Sequence, residues 1–89
     1  MMNEIKIAIL QRGWVFIGRF ERKKNDCKLT NAFNIRRWGT TRGLGEIAKN
    51  GVNCNTVLDP AGTIEFDYLT VVALISCSQE KWEAKLNEQ

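Results

Sequence analysis

Hydrophobic positions early in the chain recur with the short period of β-structure. KIAIL (6–10) is a brief apolar run closed by QRG, where Gly13 supplies a turn. WVFIGRF (14–20) follows, built of strand-favouring side chains throughout, and the two runs together predict a β-hairpin. Gly18 within the second run predicts a bulge or a sharp bend, because a residue without a side chain lets the sheet coil and another backbone approach. RKKND (22–26) reads as a polar turn. CKLTNAFNI (27–35) then alternates Cys27, Leu29, Asn31, Phe33 and Ile35 with Lys28, Thr30, Ala32 and Asn34, which predicts a half-buried strand with one mostly apolar face.

The pattern changes at RRWGTTRGLGEIAKNG (36–51), a basic, glycine-rich insert. Its second half, LGEIAKN, holds helix formers with Glu46 near the start, Lys49 near the end and Gly51 as a stop, so one or two helical turns are expected there. VNCNTVLDPAG (52–62) predicts a long connection with a turn at DPAG, where Pro60 fixes φ and Gly62 permits a left-handed residue. TIEF and YLTVVALISC supply the last two strands; the second is nearly continuous in apolar residues, which predicts a central position. SQEKWEAKLNEQ reads as a C-terminal helix over 78–87, with Ser78 as N-cap and Trp82 and Leu86 one turn apart on one face. Short strands with one insert and one terminal helix predict a mainly β fold, a small five-stranded SH3/Sm-like barrel, in a single domain over 1–89.

Length adds an expectation of self-association: 89 residues bury a thin core, so a homo-oligomer is expected. The net charge of +3 is too small to indicate a polyanion groove by itself. Its distribution is uneven, since Arg12, Arg19, Arg22, Lys23, Lys24, Lys28, Arg36, Arg37 and Arg42 face only Glu21 and Asp26 across that span, while acids gather after Asp59. Taken singly, each of these cations reads as a solvated strand face. The chain has three cysteines and no histidine, which argues against zinc ligation and against His-based acid/base work; no metal or cofactor is expected. Cys27 and Cys77 read as small apolar core residues. The N-terminal apolar run is too short for a signal peptide or a membrane span, which places the chain in the cytoplasm without a membrane partner.

The candidate chemistry lies in the insert. Arg36, Arg37 and Arg42 offer forked, permanently charged donors that match phosphate oxygens, Trp38 offers a ring face for a base, and Thr40 and Thr41 add hydroxyls. The glycine-rich backbone adds amide groups for an anion. A second reading of the same residues is structural, with Trp38 plugging one end of a barrel, a threonine capping the helix and the glycines making turns. GTTRGLG matches neither a Walker A loop nor the dinucleotide fingerprint. Asp59 before Pro60 reads as a turn residue, and Trp14 and Trp82 as core or subunit-contact residues. Glu65 and Asp67, the closest carboxylate pair, read as a solvated strand edge. Binding without turnover is therefore expected.

Two resemblances bear on this. VFIGRFERKKNDCKLTNAFNI resembles the first signature of the Sm/Lsm family, with a glycine in a bent second strand, a polar turn carrying an Asp and an alternating third strand; the family's Arg-Gly pair opening the fourth strand is absent. That resemblance implies rings of subunits joined by strand pairing, binding RNA or DNA on one face. RRWGTTRGLGEIAKNG with TVLDPAGTIEF and the Lys-Trp tail resembles a group of small phage and mobile-element proteins carrying an RRWGTT-x-GLG core and a downstream LDP-x-GT. Among phage proteins of this size are oligomers that sequester nucleotide signals of host antiviral defence, which makes a nucleotide-derived ligand the first expectation. An Sm-like nucleic-acid module is the second, and an interaction module for an acidic host protein the third.

Overall fold

The computed structural model describes residues 4–37, 43–53 and 55–88. Strands β1 (Ile5–Leu10), β2 (Val15–Lys23) and β3 (Asp26–Arg37) follow one another through tight turns. Helix α1 (Leu44–Asn50) precedes β4 (Val57–Asp67), a 3-10 turn at Tyr68–Thr70 leads to β5 (Val71–Ser76), and α2 (Gln79–Leu86) closes the order. All pairings are antiparallel, in one five-stranded sheet of order β4-β3-β2-β1-β5. Among the described residues β4 and β5 do not pair, so the sheet is not closed into a barrel.

Two cores lie on the two faces of this sheet. On one face Ile5, Ile7, Val15, Ile17, Phe33 and Ile35 bury themselves against Ile47 and Ala48 of α1 and Trp82 and Leu86 of α2. The other core, centred on Ala8, Leu10, Leu29 and Ala32, is built from residues of the strands alone. That is geometrically feasible only because the sheet bends hard. Gly18 permits the bend: the β2–β3 register shifts between Ile17 and Arg19, and a Cβ at Gly18 would lie 3.0 Å from the Thr30 carbonyl oxygen and 3.2 Å from the Ala32 Cα.

Three sequence expectations fail for identifiable reasons. The expected single apolar face of β3 switches halfway: Leu29 and Ala32 belong to one core, Phe33 and Ile35 to the other. Asn31, with φ of 52°, causes the switch, and the β3–β4 register shifts between Leu29 and Ala32. Asn tolerates that left-handed backbone better than most side chains, and its Nδ2 donates to the Leu86 carbonyl at 3.2 Å. The turn at DPAG is instead strand: Asp59 faces Asn34 and Pro60 faces Phe33 within β4. An edge strand tolerates a proline because one side of its ladder has no partner to lose. Finally, the apolar YLTVVALISC is not central; its strand, β5, is an edge.

The helices behave as the sequence predicts. Ser78 caps α2, its Oγ accepting from the Lys81 amide at 3.3 Å, and Gly51 ends α1 with φ of 84°. Gln79 ties the start of α2 to β1: its Oε1 accepts from the Ile5 amide at 2.9 Å and its Nε2 donates to the Ile5 carbonyl at 3.2 Å. This side-chain amide continues the ladder where β5 has ended. Trp82 joins the helices, its Nε1 donating to the Ile47 carbonyl at 2.8 Å.

Candidate ring and anion site

Arg36 and Arg37, the last residues of β3, are exposed; Trp38, Thr40, Thr41 and Arg42 lie outside the described residues. Successive strand residues ordinarily point to opposite faces, which would separate the two arginines. The pairing of β3 with β4 prevents that separation. Ile35 faces Leu58 and Arg37 faces Val57, so Arg36 is an extra residue in β3. Arg36 reaches Asp59, with Nε 3.0 Å from Oδ2 and Nη2 donating to Oδ1 at 3.5 Å. Val57, opposite Arg37, is two residues from Asp59 on the same strand, so by register both guanidinium groups belong to the side of Asp59. Asp59 is thus an orienting partner on a strand rather than a turn residue. It engages two of the five N–H donors of Arg36 and leaves the rest outward.

A second feature shares this side. Phe16 faces Asn34 across β2 and β3, and Asn34 faces Asp59 across β3 and β4, giving one row over three strands. Asn34 is fixed there by its Nδ2, which donates to the Val15 carbonyl at 3.2 Å. Trp14 stacks on Phe16 with ring centroids 6.0 Å apart and planes 9° from parallel. Trp14 is 57% exposed, so of the two expected roles, core or subunit contact, it does not fill the first; Trp82 is the buried one. Arg12, also exposed, immediately precedes this stack in a turn where its φ is 69°. One end of the sheet therefore carries an open aromatic stack, three arginines and one carboxylate, at the point where the chain enters residues 38–42.

The sequence signal missed here was in WVF: a tryptophan directly after a turn glycine begins a strand at the sheet's end, where no layer covers it. The alternation of apolar residues alone does not distinguish it from a core position.

A cleft of about 660 Å³ lies elsewhere, at the opposite end of β2, β3 and β4. Glu21, Asp26, Glu65 and Asp67 line it with Lys23 and Lys28, and acids outnumber bases, which disfavours an anion. Asp26 and Asp67 even face each other across the strands. Beside this cleft the Arg22 guanidinium sits 3.4 Å over the Tyr68 ring and donates to the Lys24 carbonyl, so that arginine is engaged structurally. Cleft volume therefore does not select the site; charge and ring exposure do.

The two described cysteines are buried, which disfavours the reactive thiolate form. Burial pushes the Cys77 thiol up to about 12, and burial also raises that of Cys27, with Arg22 opposing. Among the described residues no three His, Cys, Asp or Glu side chains are arranged to hold a metal, and no helix is long and apolar enough to cross a membrane.

No protein-family model matches the chain, and no curated protein sequence matches it.

Proposed function

We propose that this protein binds and withholds a nucleotide-derived small molecule without turning it over. The observation that carries the reading is the open Trp14–Phe16 stack on the same side as Arg36 and Arg37. A base stacks on Trp14, phosphate oxygens meet the free donors of Arg36 and Arg37, and Trp38, Thr40, Thr41 and Arg42, outside the described residues, are proposed as further ligand contacts. Each charge-assisted hydrogen bond contributes about 1.5–3 kcal/mol and a stacked base about 1–3 kcal/mol. Two arginines with one stack therefore support affinity of about micromolar order. The strand-built second core and the bend at Gly18 support a strongly bent, open SH3/Sm-like sheet as the scaffold, and the thin core supports a homo-oligomer. The resemblance to phage and mobile-element proteins extends the proposal to a role: capturing a cyclic or ADP-ribose-like immune signal in the host cytoplasm, so that antiviral defence is not triggered.

The test is mass spectrometry of material released from the purified protein by heat, followed by titration with ADP-ribose and a cyclic dinucleotide. A stoichiometric nucleotide is expected, with Trp14→Ala and Arg37→Ala each weakening binding at least tenfold while the thermal midpoint stays nearly constant. The Sm-like RNA or DNA module is favoured by one observation, the exposed stack itself, which also suits a single strand. Affinity that grows with oligonucleotide length and falls steeply with salt would replace the first reading with that one. Co-purification of an acidic host protein in place of either would favour the interaction module.

A further inference from the structure

Both edges of the open sheet present backbone groups to solvent, but the chain protects only one of them. β4 carries Pro60, which has no N–H, and the acids Asp59, Glu65 and Asp67, whose copies repel in any self-pairing. β5 carries neither device along its regular part. From Tyr68 through Ser78 the chain has no charged residue and no proline. Leu69 and Val72, 74% and 67% exposed, lie beside it. Val72 is a bulge, since Ile9 faces Ala73 while Leu10 faces Val71, which leaves Ala73 to Ser76 as an even edge.

The direction of the free groups on that edge follows from the pairing with β1. The Cys77 amide donates to the Ile5 carbonyl, and the pairing continues through Ile7 opposite Ile75 and Ile9 opposite Ala73. Alternation then turns the backbone groups of Leu74 and Ser76 away from β1. Ser78 obeys the same alternation, its amide donating outward to the Ala48 carbonyl of α1 at 2.7 Å. Among the described residues the even edge of β5 is therefore an unfilled ladder position next to one that α1 already fills.

We propose that this edge is the contact through which two copies of the chain pair, β5 against β5 in antiparallel orientation about a two-fold axis at Ile75. Leu74 of one copy then lies opposite Ser76 of the other, and the two equivalent pairs exchange about four backbone hydrogen bonds; the paired stretch ends there, because the outward position at Ser78, which would face Val72 of the other copy, is held by Ala48 of α1. The small Ser76 leaves room for Leu74 of the second copy, and no like charges meet. A two-fold contact closes after two copies, whereas joining β5 to the acidic edge of β4 leaves carboxylates without cations and a free edge at each end. The result is a ten-stranded sheet through both molecules. It gives the oligomer proposed above a definite interface, and its test needs no ligand.

Sedimentation equilibrium on the full chain, with the ligand state checked by mass spectrometry, tests it. A dimer is expected. Ser76→Glu gains an intramolecular partner in Lys6, which it faces across β1 and β5, but sets two carboxylates near the axis. That variant should weaken dimerisation at least tenfold, as should Ser76→Pro, which removes an outward amide alone. Thr63→Lys on β4 should leave dimerisation unchanged. On the wild-type protein, hydrogen exchange at the Leu74 and Ser76 amides should slow with rising protein concentration, a readout that survives even if a variant misfolds. A monomer at high concentration, a larger ring, a dimer insensitive to Ser76, or exchange at those amides independent of concentration would each overturn the proposal.

Discussion

Replacing Trp82 with Phe tests the link that holds the two helices to the sheet. Among the described residues Trp82 is the largest fully buried side chain, and it donates its Nε1 hydrogen to the Ile47 carbonyl. That carbonyl also accepts from the Gly51 amide at 2.8 Å, so removing the indole does not orphan it. The hydrogen-bond part of the loss is then about 1 kcal/mol, not the ~3 kcal/mol of a stranded buried group. The smaller ring leaves a void where the indole's second ring packed, between α1 and α2, and incomplete collapse adds about 1–2 kcal/mol. The total, about 2–3 kcal/mol, is a large share of the stability of a domain this small. Urea denaturation should show a lower midpoint at an unchanged slope, and calorimetry a fall of about 10–20 °C. Amide exchange should quicken first in α1, which is short and depends on this contact. A loss below about 0.5 kcal/mol would refute the reasoning, because it would mean that α1 is docked without Trp82.

Gly18→Ala should destabilise by about 1–3 kcal/mol by urea denaturation, since the added methyl meets backbone atoms of Thr30 and Ala32 that cannot swing aside; an unchanged midpoint would mean that the bend relaxes at no cost. The Cys77 thiol keeps its proton to about pH 12 in the folded chain, whereas the unfolded thiol loses it near its ordinary value of 9.0. Protons are then bound more tightly by the folded state, so the stability from Cys77 is complete below pH 9 and declines by up to about 1.4 kcal/mol per pH unit above it. Cys77→Ala should flatten that part of the pH profile, and alkylation of Cys77 at pH 8 should be slow until denaturant is added.

Much of the fold was legible because local signals agreed with one another. Gly13 between two strand-like runs specified the first hairpin, Ser78 before QEKW specified the start of α2, and Gly51 specified the end of α1. What was not legible depended on contacts distant in sequence. Alternation in 27–35 predicted one apolar face, but a single left-handed Asn31 reverses the phase, and a side-chain pattern carries no mark of one residue's φ. YLTVVALISC read as central because apolar runs are usually covered on both sides; strand order decides that, and order is not a local property. For the candidate site, Arg36 and Arg37 were nominated from charge and donor geometry alone. Trp14, Phe16, Asn34 and Asp59 were not, since only the registers of β2, β3 and β4 bring them into one row.

The pairing of β1 with β5 has a kinetic consequence. β1 forms its hairpin with β2 almost at once, yet its other side waits for a strand that begins about sixty residues later. At a synthesis rate of about 5–20 residues per second, that interval lasts roughly 3–12 s. Throughout it, Ile7 and Ile9 border an unfilled ladder, and neither the Gln79 clasp on Ile5 nor the seating of Trp82 can occur. Pairing across so great a separation in sequence is a long-range step, so amide protection of β5 is expected to appear late in refolding. The nascent chain is therefore most exposed to chaperones, and to misassembly with its own copies, in the seconds before its last strand is made.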